Sequence, residues 1–82
     1  MSKIDKLINR FKSHPVDFTW DELITLLTKL EFQEIQGSGS RVKFYNKTKN
    51  CLIQLHKPHP AKTLKRYMVN EILDILNEHK LI

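Results

Sequence analysis

Ile4, Leu7, Ile8 and Phe11 recur at i, i+3, i+4 and i+7, the spacing of one helical face. Ser13-His14-Pro15 closes that helix, because proline disfavours helical backbone in the residue before it. Thr19 opens a second helix. Thr19 and Glu22 have the spacing of a capping box, in which each side chain satisfies a free backbone N–H of the first turn. Trp20, Leu23, Leu26, Leu27 and Leu30 form its apolar stripe, and a lone Trp in a leucine stripe reads as core rather than as a platform for a nucleobase.

After Phe32 the period changes. Gln33-Glu34-Ile35-Gln36 reads as a short strand, and Gly37-Ser38-Gly39 as a tight turn, since glycine reaches positive φ without penalty. From Arg41 to Tyr45 the residues alternate, Val42 and Phe44 one way, Arg41, Lys43 and Tyr45 the other. That is strand period two. Residues 46–50, NKTKN, form a polar hairpin loop, and Cys51 to Leu55 a third strand whose alternation buries Cys51 with Ile53 and Leu55. Tyr67, Met68, Val69, Ile72, Leu73, Ile75 and Leu76 then return to helical spacing and predict a terminal helix over about 66–79. The order is helix, helix, strand, strand, strand, helix. Short loops make the strands an antiparallel meander with the helices over one face, an α+β fold.

Eighty-two residues, 40% of them hydrophobic, suffice for one domain with one core. No apolar run approaches the roughly 20 residues that cross a bilayer. The charged N-terminus lacks the apolar stretch of a signal peptide. The single cysteine excludes an internal disulfide and a thiolate metal finger. A reducing, cytosolic setting fits.

Charge changes the picture more. The net charge is +5, and between Arg41 and Asn70 there is no acid at all. That stretch carries eight of the 14 cations: Arg41, Lys43, Lys47, Lys49, Lys57, Lys62, Lys65 and Arg66. A one-sign segment of this kind attracts a polyanion, though it also describes a solvated basic face. Inside it, LHKPHPAKTLKR (55–66) sets His56 ahead of Pro58 and His59 between Pro58 and Pro60. The prolines stiffen a turn. The histidines titrate near neutral pH and suit proton transfer, although loop histidines also occur without any role. Ser38 and Ser40 flank Gly39 in a turn whose N–H groups can face an anion. Tyr45 and Tyr67 can stack on bases or pack. No third ligand type accompanies the histidine pair, so neither a metal nor a cofactor is expected.

The pattern of elements, GSGSRVKF at the turn into the second strand and PHPAKTLKRYMVNEIL leading into the last helix resemble the HicA family of bacterial toxins. The resemblance covers residues 19–82 and leaves 1–15 as an added N-terminal helix on a single domain. It implies a double-stranded-RNA-binding-like α-β-β-β-α fold and a messenger RNA interferase neutralised by a HicB-like antitoxin, as a homodimer or a toxin–antitoxin hetero-oligomer. The family writes Gly-Ser-His, two residues, then an aromatic, with the histidine catalytic. Here Gly39, Ser40 and Phe44 match and Arg41 replaces the histidine. Arginine stays protonated and cannot be a base, but it can clamp a phosphate. His59-Pro60-Ala61 matches two of the three positions of the family's later His-Pro-Gly. The resemblance carries over His59, while His56 is an extra histidine one strand-end earlier. With Arg41 they supply the base, acid and cation that cleavage needs and are the expected catalytic residues, with Ser40, Lys43, Lys57, Lys62, Lys65 and Arg66 as RNA contacts. A ribonuclease toxin, an RNA-binding module of the same fold that cleaves nothing, and a basic domain that docks an acidic protein all remain open at this point. Arg41 begins one strand and His56 follows its neighbour, so antiparallel pairing is expected to bring them together.

Overall fold

The computed structural model describes residues 3–58 and 62–82. Six elements follow one another: α1 (Lys3–Lys12), α2 (Trp20–Lys29), β1 (Gln33–Gln36), β2 (Arg41–Asn46), β3 (Cys51–His56) and α3 (Arg66–Glu78). The strands form one antiparallel sheet in the order β1-β2-β3. This is the α+β meander read from the alternation, with α2 and α3 bracketing the strands and α1 preceding them.

The capping box is present. The Thr19 hydroxyl accepts from the Glu22 backbone N–H at 3.1 Å, and the Glu22 carboxylate accepts from the Thr19 N–H at 3.0 Å. Glu22 also receives Arg10 of α1, which donates in addition to Asp17 at 2.9 Å and lies over the Phe18 ring, 5.1 Å from its centroid. One guanidinium thus clips α1 to the first turn of α2. His14, before Pro15, takes left-handed backbone at φ 56, one way out of the helical region that the proline forbids. Its Nδ1 meets the Asn70 side-chain oxygen at 2.7 Å and ties this corner to α3.

Val42 and Phe44 of β2 and Cys51, Ile53 and Leu55 of β3 are buried beneath the helices, whereas their alternate neighbours face out. Trp20 packs against Phe44 with centroids 5.9 Å apart, and Phe11 against Phe18 at 4.7 Å. Trp20 is core, as its stripe implies. Burial raises the Cys51 thiol pKa, and the nearby Glu78 charge raises it further. β1 is exposed on both sides, so the helical layer stops short of that edge.

Three details depart from the sequence expectations. Asn46 is the last residue of β2, not part of the loop, and is 1% exposed. Its amide donates to the Leu30 carbonyl at 2.8 Å and its oxygen accepts from the Lys49 N–H at 3.0 Å. His56 belongs to β3 itself. Tyr67, placed in the apolar stripe of the last helix, points outward and is 57% exposed. No helix among the described residues is long and apolar enough to cross a membrane.

Candidate functional site

The turn from β1 to β2 builds the first half of the site. Gly37 N–H donates to the Arg41 carbonyl at 2.9 Å, and Arg41 N–H donates to the Ser38 carbonyl at 3.2 Å. A Cβ on Gly37 would meet the Arg41 carbonyl oxygen at 2.9 Å, so only glycine lets the chain close this tightly. Gly39 holds φ 62, a left-handed conformation that costs an ordinary residue about 1–2 kcal/mol. The two glycines deliver Arg41 to a fixed place at the start of β2.

The second half comes from β3. Arg41 pairs with His56, and Lys43 with Gln54. The Lys57 N–H donates to the Ser40 carbonyl at 2.8 Å, which makes residues 40 and 57 a hydrogen-bonded pair. Hydrogen-bonded and non-hydrogen-bonded pairs alternate along an antiparallel ladder. Arg41 and His56 are therefore a non-hydrogen-bonded pair, the kind that brings side chains closest. It follows that the backbone N–H and C=O of Gln54 and His56 point away from β2, toward the outer edge of β3.

No helix among the described residues covers this face. Its rows across the strands are Arg41 and His56, then Ile35, Lys43 and Gln54, then Gln33, Tyr45 and Leu52. The Arg41 end is cationic, and the exposed Ile35 and Leu52 add apolar surface in the other two rows. Arg41, Lys43, Gln54 and His56 surround a hollow of about 190 Å³ over Val42 and Leu55. A smaller hollow of about 110 Å³ lies on the other flank of β3, against α3, and shares Gln54, Leu55 and His56 with the first. Tyr67, Met68 and Glu71 complete it.

The sequence-derived residues divide accordingly. Arg41, Lys43 and His56 come together, with Ser40 and Lys57 joined by backbone next to them. Lys62, Lys65 and Arg66 line neither hollow. Lys62 and Lys65 lie on the return to α3, whose first residue is Arg66, and that return is stitched to the start of α2 by Trp20 N–H to Lys62 carbonyl and Leu64 N–H to Phe18 carbonyl bonds, both 2.8 Å. Lys65 caps α3 without a side-chain hydrogen bond. His59 lies outside the described residues. Gln54 and Glu71 lie beside the hollows but were not among the sequence candidates, whereas Tyr67 was weighed there as a base stacker or a packing residue. Gln54 shares the outward register of Lys43, and Tyr67 and Glu71 share a helical face by i, i+4 spacing, so a signal for each was present. Among the described residues no three of His, Cys, Asp and Glu come together as a metal site.

Fold and site define a helix–three-strand–helix domain that presents a basic, histidine-bearing sheet face. The model of the family described as the HicA toxin of bacterial toxin–antitoxin systems matches residues 20–77, from the start of α2 almost to the end of α3. The chain belongs to the HicA toxin family: it is a toxin of a toxin–antitoxin system, which implies a cognate antitoxin. α1 precedes the matched residues. No curated protein and no solved structure matches the chain.

Proposed function

We propose that this toxin is a metal-independent ribonuclease that cleaves messenger RNA and is neutralised by a HicB-like antitoxin covering the basic sheet face. The observation that carries the reading is the pairing of Arg41 with His56 on the uncovered face, with Lys43 in the adjacent row. Cleavage without a metal needs a base, an acid and a cation. The base takes the proton of a ribose 2′-hydroxyl, and the 2′-oxygen bonds to the adjacent phosphorus. The bond from phosphorus to the 5′-oxygen breaks, and that oxygen takes a proton from the acid. The products are a 2′,3′-cyclic phosphate and a 5′-hydroxyl. His56 and His59 supply base and acid. Arg41, which cannot be the base, grips the phosphate and stabilises its growing charge. Ser40, Lys57, Lys62, Lys65 and Arg66 hold the flanking backbone. The place of action is the cytoplasm, with the messenger RNA.

Antitoxin-free protein incubated with end-labelled single-stranded RNA in excess chelator tests this, beside His59→Ala and His56→Ala. Cleavage by the wild type that falls in both variants supports the reading. Intact RNA in every lane, from folded protein that binds it, leaves the second reading, a silent RNA-binding module. The arginine in the position of the family's histidine is the observation that favours that alternative.

A further inference from the structure

The two hollows that meet at His56 differ in charge and in shape. Arg41 and Lys43 flank the one on the sheet face. Tyr67 and Glu71 flank the one between β3 and α3. Phosphate is drawn to the first and repelled by the Glu71 carboxylate at the second. An exposed tyrosine beside a carboxamide, a carboxylate and outward-pointing backbone groups has the equipment to hold a planar ring with polar edges. Resting on the ribonuclease reading, we infer that the hollow between β3 and α3 is a nucleobase subsite. It receives the base next to the phosphate gripped by Arg41 and Lys43.

Each lining group has a distinct task. The Tyr67 ring, more than half exposed, stacks on the base. Met68 and Leu55, both buried, form the apolar floor beneath it. Gln54 offers an amide donor and acceptor, and the edge of β3 offers the N–H and C=O of Gln54 and His56. The Glu71 carboxylate only accepts, so it selects a base with donors on its Watson–Crick edge. Guanine has two adjacent donors, N1–H and N2–H, that match a carboxylate's two oxygens, and the subsite prefers it. The base must be unpaired to enter, which restricts the substrate to single-stranded segments. His56, lining both hollows, stands where base and phosphate of one nucleotide diverge.

The test is equilibrium binding of the full chain to fluorescein-labelled, 2′-O-methylated hexanucleotides, which lack the attacking hydroxyl. They carry guanine, adenine, cytosine, uracil or no base at one central position. Wild type is expected to bind the guanine oligonucleotide best. It should bind the abasic one roughly 5- to 150-fold more weakly, the range of one stacked base. Tyr67→Ala erases that gap and Tyr67→Phe keeps it. Glu71→Gln keeps the gap but levels the four bases. Tyr67→Ala with wild-type discrimination, while Arg41→Ala weakens all five oligonucleotides alike, overturns the subsite and leaves the RNA reading standing. Absence of binding by folded wild type overturns both.

Discussion

Arg41 and His56 stand opposite each other as a non-hydrogen-bonded pair where β2 begins and β3 ends. The guanidinium can therefore hold a phosphate beside the imidazole without either backbone moving. Arg41→Ala is expected to lower cleavage of single-stranded RNA by about 10²–10³, the usual loss when one charge-stabilising donor is removed. Arg41→Lys recovers part of it, since an ammonium restores charge but not the two-pronged grip. Because Arg41 is exposed, its removal should leave the unfolding midpoint nearly unchanged. Wild-type kcat/KM in the alanine variant would remove Arg41 from the mechanism.

Binding should weaken steeply with salt. Each phosphate contact on single-stranded RNA contributes about 0.7 to the slope of log affinity against log salt concentration. Arg41→Ala and Lys43→Ala should each reduce the slope by about that much. Lys29→Ala, at the far end of α2 from its capped start, should not. A titration at four salt concentrations decides it. Equal slopes in all three variants would move the phosphate track off this sheet face.

Gly37 and Gly39 separate placement from backbone conformation. Alanine at Gly37 drives a Cβ toward the Arg41 carbonyl, whereas alanine at Gly39 meets open space but keeps positive φ. Gly39→Ala should cost stability of about 1–2 kcal/mol. Gly37→Ala should shift Arg41 itself, so its cleavage falls further than its stability does. Chemical denaturation and a cleavage assay on both variants check this. Equal losses of activity in the two would argue that the turn places nothing.

Much of the fold was legible because period and capping agree. The Thr19–Glu22 box, the alternation of Val42 and Phe44, and the end-to-end approach of Arg41 and His56 all follow from local spacing. The toxin family, with the cognate antitoxin that it implies, was legible too, through GSGSRVKF and the approach to the last helix. What was not legible depends on tertiary direction. Tyr67 shares the i, i+4, i+7 face of Glu71 and Asp74 rather than that of Met68 and Val69, but only the packing of α3 against the sheet sets that face beside Gln54 and His56. Asn46 looks like loop by composition. It is buried because Leu30 and Lys49 offer it partners from two other segments.

Asn46 yields its own prediction. Asn46→Ala removes the side-chain partner of the Leu30 carbonyl and of the Lys49 N–H at a part-buried corner. Each such loss costs about 1–3 kcal/mol. The variant should lose stability on that scale while the proposed site, at the opposite end of β2, keeps its RNA affinity. Denaturant melts and binding titrations read the two effects apart. A stability equal to wild type would show that water replaces the amide at no cost.

Glu22 sets the acid limb of stability through the clip between α1 and α2. Partial burial pushes its carboxyl pKa up. The Arg10 hydrogen bond, the Thr19 N–H and hydroxyl, and the Arg10 charge outweigh that and hold it below the usual range. The Arg10 pKa is raised in turn, chiefly by the same hydrogen bond. A carboxyl depressed on folding stabilises fully above its unfolded pKa, and the contribution is lost as pH falls through the folded value. Glu22→Gln preserves the capping-box geometry, because glutamine also serves at that position, and removes only the charge. At neutral pH the variant should be less stable by about 1 kcal/mol, the pair being a third exposed and screened. The gap should close below the depressed folded value, where the wild-type carboxyl is itself neutral. Denaturant melts of both proteins from pH 7 down to pH 2.5 measure it. A gap that persists into acid would assign the effect to shape rather than to the ion pair. No gap at any pH would leave α1 held by its apolar face alone.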